Sequence, residues 1–273
     1  MPDYETILYE RRGSRLPAGR QVGLITLNRP QKLNAWSPQM EVEFIDAVSS
    51  ASSDREVGAL VVTGAGRAFC AGGDISGWSQ DLGDRGERRP GSPLLDKDGS
   101  PEVPIVVRRG KPIIAAINGP AIGVGLTMPL SCDIRIASER ATFSVRFVKV
   151  GLTPECGSSR NLPAVVGLGN ALYMALTGRI VDAAEAKERG LVDRVVPHEQ
   201  LMDEAMALAE EVAANPGDAV WAAKRLLHEN AAEADLRRVV TQEGHVLRQV
   251  RVLPDHAEAV RAFMENREPR FNR

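Results

Sequence analysis

The sequence has few cysteines, few aromatic residues, almost no net charge and no long apolar run. Its 273 residues include three cysteines and 4% aromatic side chains, and 34 basic residues against 36 acidic ones give a formal charge of −2. An odd number of cysteines without C-x-x-C spacing indicates neither a disulfide framework nor a zinc site. The charge gives no general attraction to nucleic acid or anionic membrane, and no stretch approaches the ~18 apolar residues of a membrane span. These absences favour a cytoplasmic protein with reduced thiols that binds a small molecule.

Signatures of two large enzyme classes are also missing. The four histidines all lie after residue 197, without the spacing of a zinc-protease helix. No G-x-S-x-G motif occurs, so a serine hydrolase is unsupported. We therefore predict no metal site and no Ser-His-Asp chemistry.

Strand-type and helix-type patterns alternate along the chain. Strands are predicted at residues 4–10, 22–27, 59–63, 113–117 and 134–137, the last three as short apolar runs buried on both faces. Ser37-Pro38 has the residue types of an N-cap and a first helical position, and a 3.6-residue apolar period follows it. This alternation predicts an α/β fold. We expect a core over residues 1–198 and a C-terminal helical region over residues 199–273.

Two glycine-rich turns stand out between these elements. Residues 67–75 read RAFCAGGDI and residues 118–125 read NGPAIGVG, so backbone N–H groups in both can approach a ligand closely. The second turn precedes a helix predicted near Leu126, and a helix N-terminus stabilises an anion. Either turn alone fits an ordinary tight turn equally well.

Together the two turns resemble the thioester-binding signatures of the crotonase (enoyl-CoA hydratase/isomerase) family. The likeness extends from LNRPQKLNA at residues 27–35 through SCDIRI at 131–136 to AFMENREPRF at 262–271. It implies a spiral of ββα units with a C-terminal helical trimerisation region, and assembly as a homotrimer or homohexamer. It also implies an acyl-CoA substrate in which CoA is bound only as part of the thioester, with no metal or nicotinamide cofactor.

The resemblance implies an oxyanion hole made of the N–H groups of Ala71 and Val124, although Gly is the commoner residue at the second position. Each preorganised donor can supply ~3 kcal/mol to a negatively charged thioester oxygen. Asp74 is interpreted as a turn or helix-capping residue, and residues 77–104 as a mobile wall of the acyl pocket. The predicted substrate-binding set is Ala35, Phe69, Ala71, Gly72, Gly73, Asp74, Val124, Thr127, Phe147 and Phe263.

The base decides the reaction. By resemblance, Thr127 and Phe147 occupy the positions of the two hydratase glutamates, and Phe147 cannot accept a proton. Glu155 lies eight residues beyond Phe147, where the isomerase branches carry a carboxylate. This predicts a Δ3,Δ2-enoyl-CoA isomerase with Glu155 as base and acid, although an acid there also fits the cap of a helix starting near Cys156. An enoyl-CoA hydratase and a catalytically weak acyl-CoA-binding scaffold are the alternatives, and the charge gives no support to RNA binding.

Overall fold

The apolar runs form a six-stranded sheet in the computed structural model, which describes residues 3–13, 20–75 and 103–271. Its strands in spatial order are β1 (Ile7–Arg12), β2 (Gln21–Leu27), β3 (Val57–Gly64), β4 (Ile113–Ile117), β6 (Ile134–Ser138) and β9 (Arg194–Val196). β1 pairs antiparallel with β2, and the other neighbours pair in parallel. Every residue of β4 is buried, as expected for a parallel strand covered on both faces.

A second, three-stranded sheet lies beside the glycine-rich turns. It contains β5 (Ala121–Ile122), β7 (Thr142–Ser144) and β8 (Val181–Asp182), in the order β5-β7-β8. β5 and β7 are parallel, whereas β7 and β8 are antiparallel. The turn at residues 118–125 is thereby fixed to the chain that leads to residue 155.

Helices cover both faces of the main sheet. The α-helices of the described ranges are α1 (Pro38–Ser53), α2 (Val103–Arg109), α3 (Val124–Thr127), α4 (Ser158–Thr177), α5 (Ala183–Glu188), α6 (Leu201–Ala213), α7 (Gly217–Asn230), α8 (Leu236–Arg251) and α9 (Pro254–Met264). Met40, Phe44 and Val48 of α1 pack into the larger apolar cluster. Leu201 and Ala205 of α6 form a second cluster on the other face with Val22, Val61 and Ile136.

The predicted α/β fold with C-terminal helices is confirmed, with shifts at several ends. Ser37 caps α1, since its Oγ accepts the Met40 N–H at 3.2 Å. The first strand starts at Ile7, three residues later than predicted, and the helix predicted near Leu126 starts at Val124 and has four residues. The helix expected near Cys156 starts at Ser158.

Two organisational predictions stay predictions. The division between residues 198 and 199 is one, although α6 beyond it packs on the sheet of the preceding core. The mobile wall at residues 77–104 lies outside the described residues, except for residues 103 and 104, which begin α2. Among the helices of the described ranges, none is long and apolar enough to cross a membrane.

Candidate active site

Two buried asparagines fasten the first glycine-rich turn. The Asn34 Nδ2 donates to the Ala68 carbonyl at 2.8 Å, and the Asn118 Nδ2 donates to the Gly66 carbonyl at 2.9 Å. The Asn118 Oδ1 also accepts the Gly64 N–H at 3.2 Å. Both side chains therefore satisfy backbone groups that the turn leaves without a strand partner, as buried polar groups require.

The two glycine-rich turns run side by side in parallel. The Cys70 N–H donates to the Pro120 carbonyl and the Ile122 N–H donates to the Cys70 carbonyl, both at 3.0 Å. At Gly125 the backbones come so close that a Cβ atom would lie 2.0 Å from the Cys70 carbonyl oxygen. Only glycine fits there, which explains the small residues of this motif.

The N–H groups at the turns differ in availability, and this corrects one prediction. The Ala71 N–H donates to the Leu33 carbonyl at 3.0 Å, so the fold itself uses the donor that the sequence assigned to a substrate oxygen. The two turns pair at Cys70 and Ala121, and Gly73 and Val124 each lie three residues beyond this pair. Neither N–H donates to any residue in the described ranges, and Val124 is the first residue of α3, where an N–H has no intrahelical acceptor. Gly73 therefore replaces Ala71 as the candidate donor opposite Val124.

Glu155 meets Thr127 at the end of α3. The Thr127 hydroxyl donates to Glu155 Oε1 at 2.9 Å, and Thr127 is fully buried. Burial raises the pKa of the Glu155 carboxyl above its ordinary value, and the Thr127 hydrogen bond partly offsets this rise. A carboxyl with a raised pKa is suited to both taking up and releasing a proton near neutral pH.

The side chain of Glu155 does not cap the following helix. Among the described residues its carboxylate accepts a hydrogen bond from Thr127, whereas its backbone carbonyl accepts the Ser158 N–H at 3.0 Å. Gly157 is the N-cap of α4 and makes no side-chain cap bond. The interpretation of Glu155 as a helix cap is therefore wrong.

The backbone after Glu155 is strained, and the thiols around it are neutral. Cys156 has φ 55° and Gly157 has φ 69°, so a non-glycine residue adopts the left-handed region. Burial raises the pKa of Cys70 to about 11, and burial also raises the pKa of Cys156 well above its ordinary value. These cysteines therefore add no negative charge beside Glu155 at neutral pH.

Phe147 forms an apolar wall at the second turn. It is 8% exposed, and its Cε1 lies 3.8 Å from the position that a Cβ of Gly123 would occupy. Gly123 has φ 56°, a conformation that glycine adopts without strain. The structure therefore brings Phe147 to the turn that carries Val124, and its ring cannot accept a proton.

Arg29 connects the first glycine-rich turn, through Asp74, to the backbone of Ala35. The Asp74 carboxylate pairs with Arg29 at 2.7 Å and with Lys32 at 3.3 Å, and the Ala35 carbonyl accepts the Arg29 Nη1 at 2.6 Å. The Gly72 carbonyl accepts the Trp36 N–H at 2.8 Å. Asp74 thus stabilises this turn by ion pairing, and its interpretation as a helix-capping residue stays a prediction.

The structure removes one predicted substrate contact, and a second stays a prediction. Phe69 has no exposed surface and packs in the main core, so its side chain cannot contact a substrate. Phe263 lies on α9 with 84% of its surface exposed, and its contact with the substrate stays a prediction. Within the described ranges, no three His, Cys, Asp or Glu side chains are grouped to hold a metal ion.

Sequence reasoning missed two residues of this site and the specific role of a third. It gave no role to Asn34 or Asn118, although an asparagine beside a glycine-rich turn is a known signal for side-chain to backbone bonding. It placed Gly73 only among general contacts. No local signal marks the Gly73 N–H as available, because that depends on which strands pair with the turn.

Comparison with known proteins gives matches along nearly the whole chain. The family model described as enoyl-CoA hydratase/isomerase matches residues 18–273. A Mycobacterium tuberculosis protein named as a probable enoyl-CoA hydratase is 35% identical over 98% of both chains. The 1,2-epoxyphenylacetyl-CoA isomerase of Escherichia coli is 37% identical over 90% of this chain and 93% of that one. The crystal structure of an enoyl-CoA hydratase from Bacillus anthracis matches with a TM-score of 0.82 and 30% identity, over 97% of this chain and 98% of that one.

Proposed function

Because the chain belongs to the enoyl-CoA hydratase/isomerase family, we propose that it is an isomerase that moves the double bond of an enoyl-CoA from the β,γ to the α,β position. The observation that carries this proposal is the hydrogen bond between Thr127 and Glu155, with the apolar Phe147 at the neighbouring turn. One carboxylate can move a proton between two carbons, whereas hydration needs a water held between two acid/base groups.

In the proposed reaction Glu155 is the base and then the acid. Its carboxylate removes a proton from the α carbon, and the electron pair of the broken C–H bond passes to the thioester oxygen. The same carboxyl then returns the proton to the γ carbon as the oxyanion collapses and the α,β double bond forms. Atoms and electrons balance without a second reactant, and CoA takes part only as the thioester portion of the substrate.

The N–H groups of Gly73 and Val124 are the proposed donors to the thioester oxygen. Neither N–H donates to an acceptor among the described residues, and the two residues occupy equivalent positions in the two adjacent turns. Each donor aimed at the developing charge contributes about 3 kcal/mol to transition-state stabilisation. A related protein named as an isomerase of another acyl-CoA supports isomerisation as a reaction of this fold.

An enoyl-CoA hydratase is the second candidate, because the Mycobacterium tuberculosis relative and the Bacillus anthracis structure carry that name. It would need a further group to hold the attacking water beside Glu155. Separate assays with cis-3-enoyl-CoA and trans-2-enoyl-CoA distinguish the two candidates. We expect the wild type to isomerise the first far faster than it hydrates the second.

Glu155→Gln tests the base directly. The amide keeps an Oε1 that can accept the Thr127 hydroxyl, so the shape of the site is retained while the proton acceptor is lost. We expect isomerisation to fall by about a hundred- to ten-thousandfold, with unchanged affinity for a saturated acyl-CoA by calorimetry. Isomerisation at the wild-type rate would reject Glu155 as the base. Binding of acyl-CoA by a wild type inactive on both substrates would instead favour a scaffold.

A further inference from the structure

The short helix α3 carries two parts of the proposed site one turn apart. Val124 is its first residue and Thr127 its last. The Thr127 N–H donates to the Gly123 carbonyl at 2.9 Å, so the backbone of this turn is closed. The Thr127 hydroxyl takes no part in these backbone hydrogen bonds and donates to Glu155 Oε1 at 2.9 Å. The carboxylate is thereby tied to the same helical turn that presents the Val124 N–H.

Little else fixes the Glu155 side chain. The left-handed Cys156 and Gly157 set the direction of its backbone, and its carbonyl accepts both the N–H and the hydroxyl of Ser158. Its Oε2 has no hydrogen-bond partner among the described residues. Thr127 therefore decides which carboxylate oxygen is held and which is left to exchange a proton.

Resting on the proposed function, we propose that Thr127 is a positioning residue: its hydroxyl holds Glu155 Oε1 and aligns Oε2 with a thioester whose oxygen is bound by the Val124 N–H. A proton shuttle between the α and γ carbons requires one oxygen to reach both while the carbonyl stays fixed. A rigid link between base and oxyanion donor meets that requirement. The residue at position 127 thus takes part in the isomerase geometry, although it cannot itself serve as the base.

The surroundings of Glu155 allow a clear pH readout. Among the described residues, the titratable groups around Glu155 include the thiols of Cys70, Cys132 and Cys156, which burial keeps neutral. The charge of Glu41 contributes to the raised pKa of Cys156, and that of Arg29 lowers the pKa of Cys70. The Thr127 hydrogen bond stabilises the ionised Glu155. Removing the hydroxyl should raise the pKa of this carboxyl further, so that a higher pH is needed to generate the base.

The test compares Thr127→Val, which keeps the branched shape, with Thr127→Ser, which keeps the hydroxyl. For Thr127→Val we expect kcat on cis-3-enoyl-CoA to fall about ten- to hundredfold, the range for a lost hydrogen bond to a charged group. KM should stay close to the wild-type value, and the acidic limb of the kcat/KM profile should move to higher pH. Thr127→Ser should recover most of kcat and the wild-type acidic limb.

Several results would overturn the proposal. A wild-type kcat and pH profile in a folded Thr127→Val variant is one, and a Thr127→Ser variant as impaired as Thr127→Val is another. Adding Thr127→Val to Glu155→Gln should cause no further loss, because the positioned group is already gone. A lower melting temperature with unchanged kcat and pH profile would leave only a packing role and would also refute the proposal.

The positioning role can be separated from the proposed function. If the wild type converts neither cis-3-enoyl-CoA nor trans-2-enoyl-CoA, the proposed function is rejected. Carbon-13 NMR titration of the Glu155 carboxyl then still tests the positioning role. Its resonance can be assigned by its loss in Glu155→Gln. A higher carboxyl pKa in Thr127→Val than in the wild type supports the link, and an equal pKa rejects it.

Discussion

Replacing Val124 by proline removes one proposed oxyanion donor with little structural cost. Val124 is the first residue of α3, where the N–H makes no intrahelical bond and where proline is well tolerated. The preceding Gly123 has ψ −124°, outside the helical region that a following proline disfavours. The N–H is thus the principal group that Val124→Pro removes.

The expected magnitude follows from the role of that N–H. Loss of one donor to a developing oxyanion costs about 2.7–4 kcal/mol, or about a hundred- to thousandfold in kcat. Stability should stay within about 1 kcal/mol of wild type, since no buried hydrogen bond is broken. Val124→Ala is the matched control, because it shortens the side chain but keeps the donor, and it should lose less than about tenfold.

The assay is turnover of cis-3-enoyl-CoA, with circular dichroism and denaturant unfolding as folding controls. The prediction applies equally to hydration of trans-2-enoyl-CoA, because both reactions place negative charge on the thioester oxygen. A folded Val124→Pro enzyme that keeps turnover within tenfold of wild type would remove Val124 from the oxyanion hole. Equal losses in the proline and alanine variants would assign the effect to the side chain instead.

Two further predictions concern stability and assembly. Asp133 is half-buried and pairs with Lys224 Nζ at 2.9 Å and with His228 Nε2 at 3.1 Å. Burial opposes its ionisation, but these bonds lower the pKa of Asp133 overall, so Asp133→Asn should cost about 3 kcal/mol in urea unfolding at pH 7. This difference should shrink as the pH falls below about 4, and its persistence there would contradict the ionic origin. Leu236 and Leu247 of α8 are 72% and 59% exposed, so we expect light scattering to give a trimer or hexamer, and a monomer at micromolar concentration would refute this.

The sequence predicts elements well where local patterns and burial agree. β4 spans the residues predicted for it. Pro112 and Asn118 bound its apolar run on either side, and such a run suits a strand covered on both faces. α1 starts as predicted because Ser37 and Pro38 supply both the cap and a preorganised first residue. In each case the residues that define the element are close together in the chain.

The site was harder to predict because its contacts join distant segments. The small residues predict the positions of both turns correctly. They do not predict that Gly73 carries the available N–H, because the Ala71 N–H donates to the Leu33 carbonyl. That pairing depends on where the segment after β2 packs, which no local pattern encodes. The sequence gives no sign that Thr127 contacts Glu155, because the two residues lie 28 positions apart.

The binding motifs alone do not identify the reaction, because the residues that do so lie elsewhere in the sequence. The two turns must lie together for both donors to reach one oxygen, and Gly125 permits this by letting the backbones approach. That frame suits any reaction that places charge on a thioester oxygen. The proposed choice of isomerisation over hydration rests on Thr127, Phe147 and Glu155, which lie in three segments outside the two glycine-rich turns. A reaction assigned from the glycine-rich motifs alone is therefore underdetermined, and the proposed isomerisation rests instead on the contact between Thr127 and Glu155.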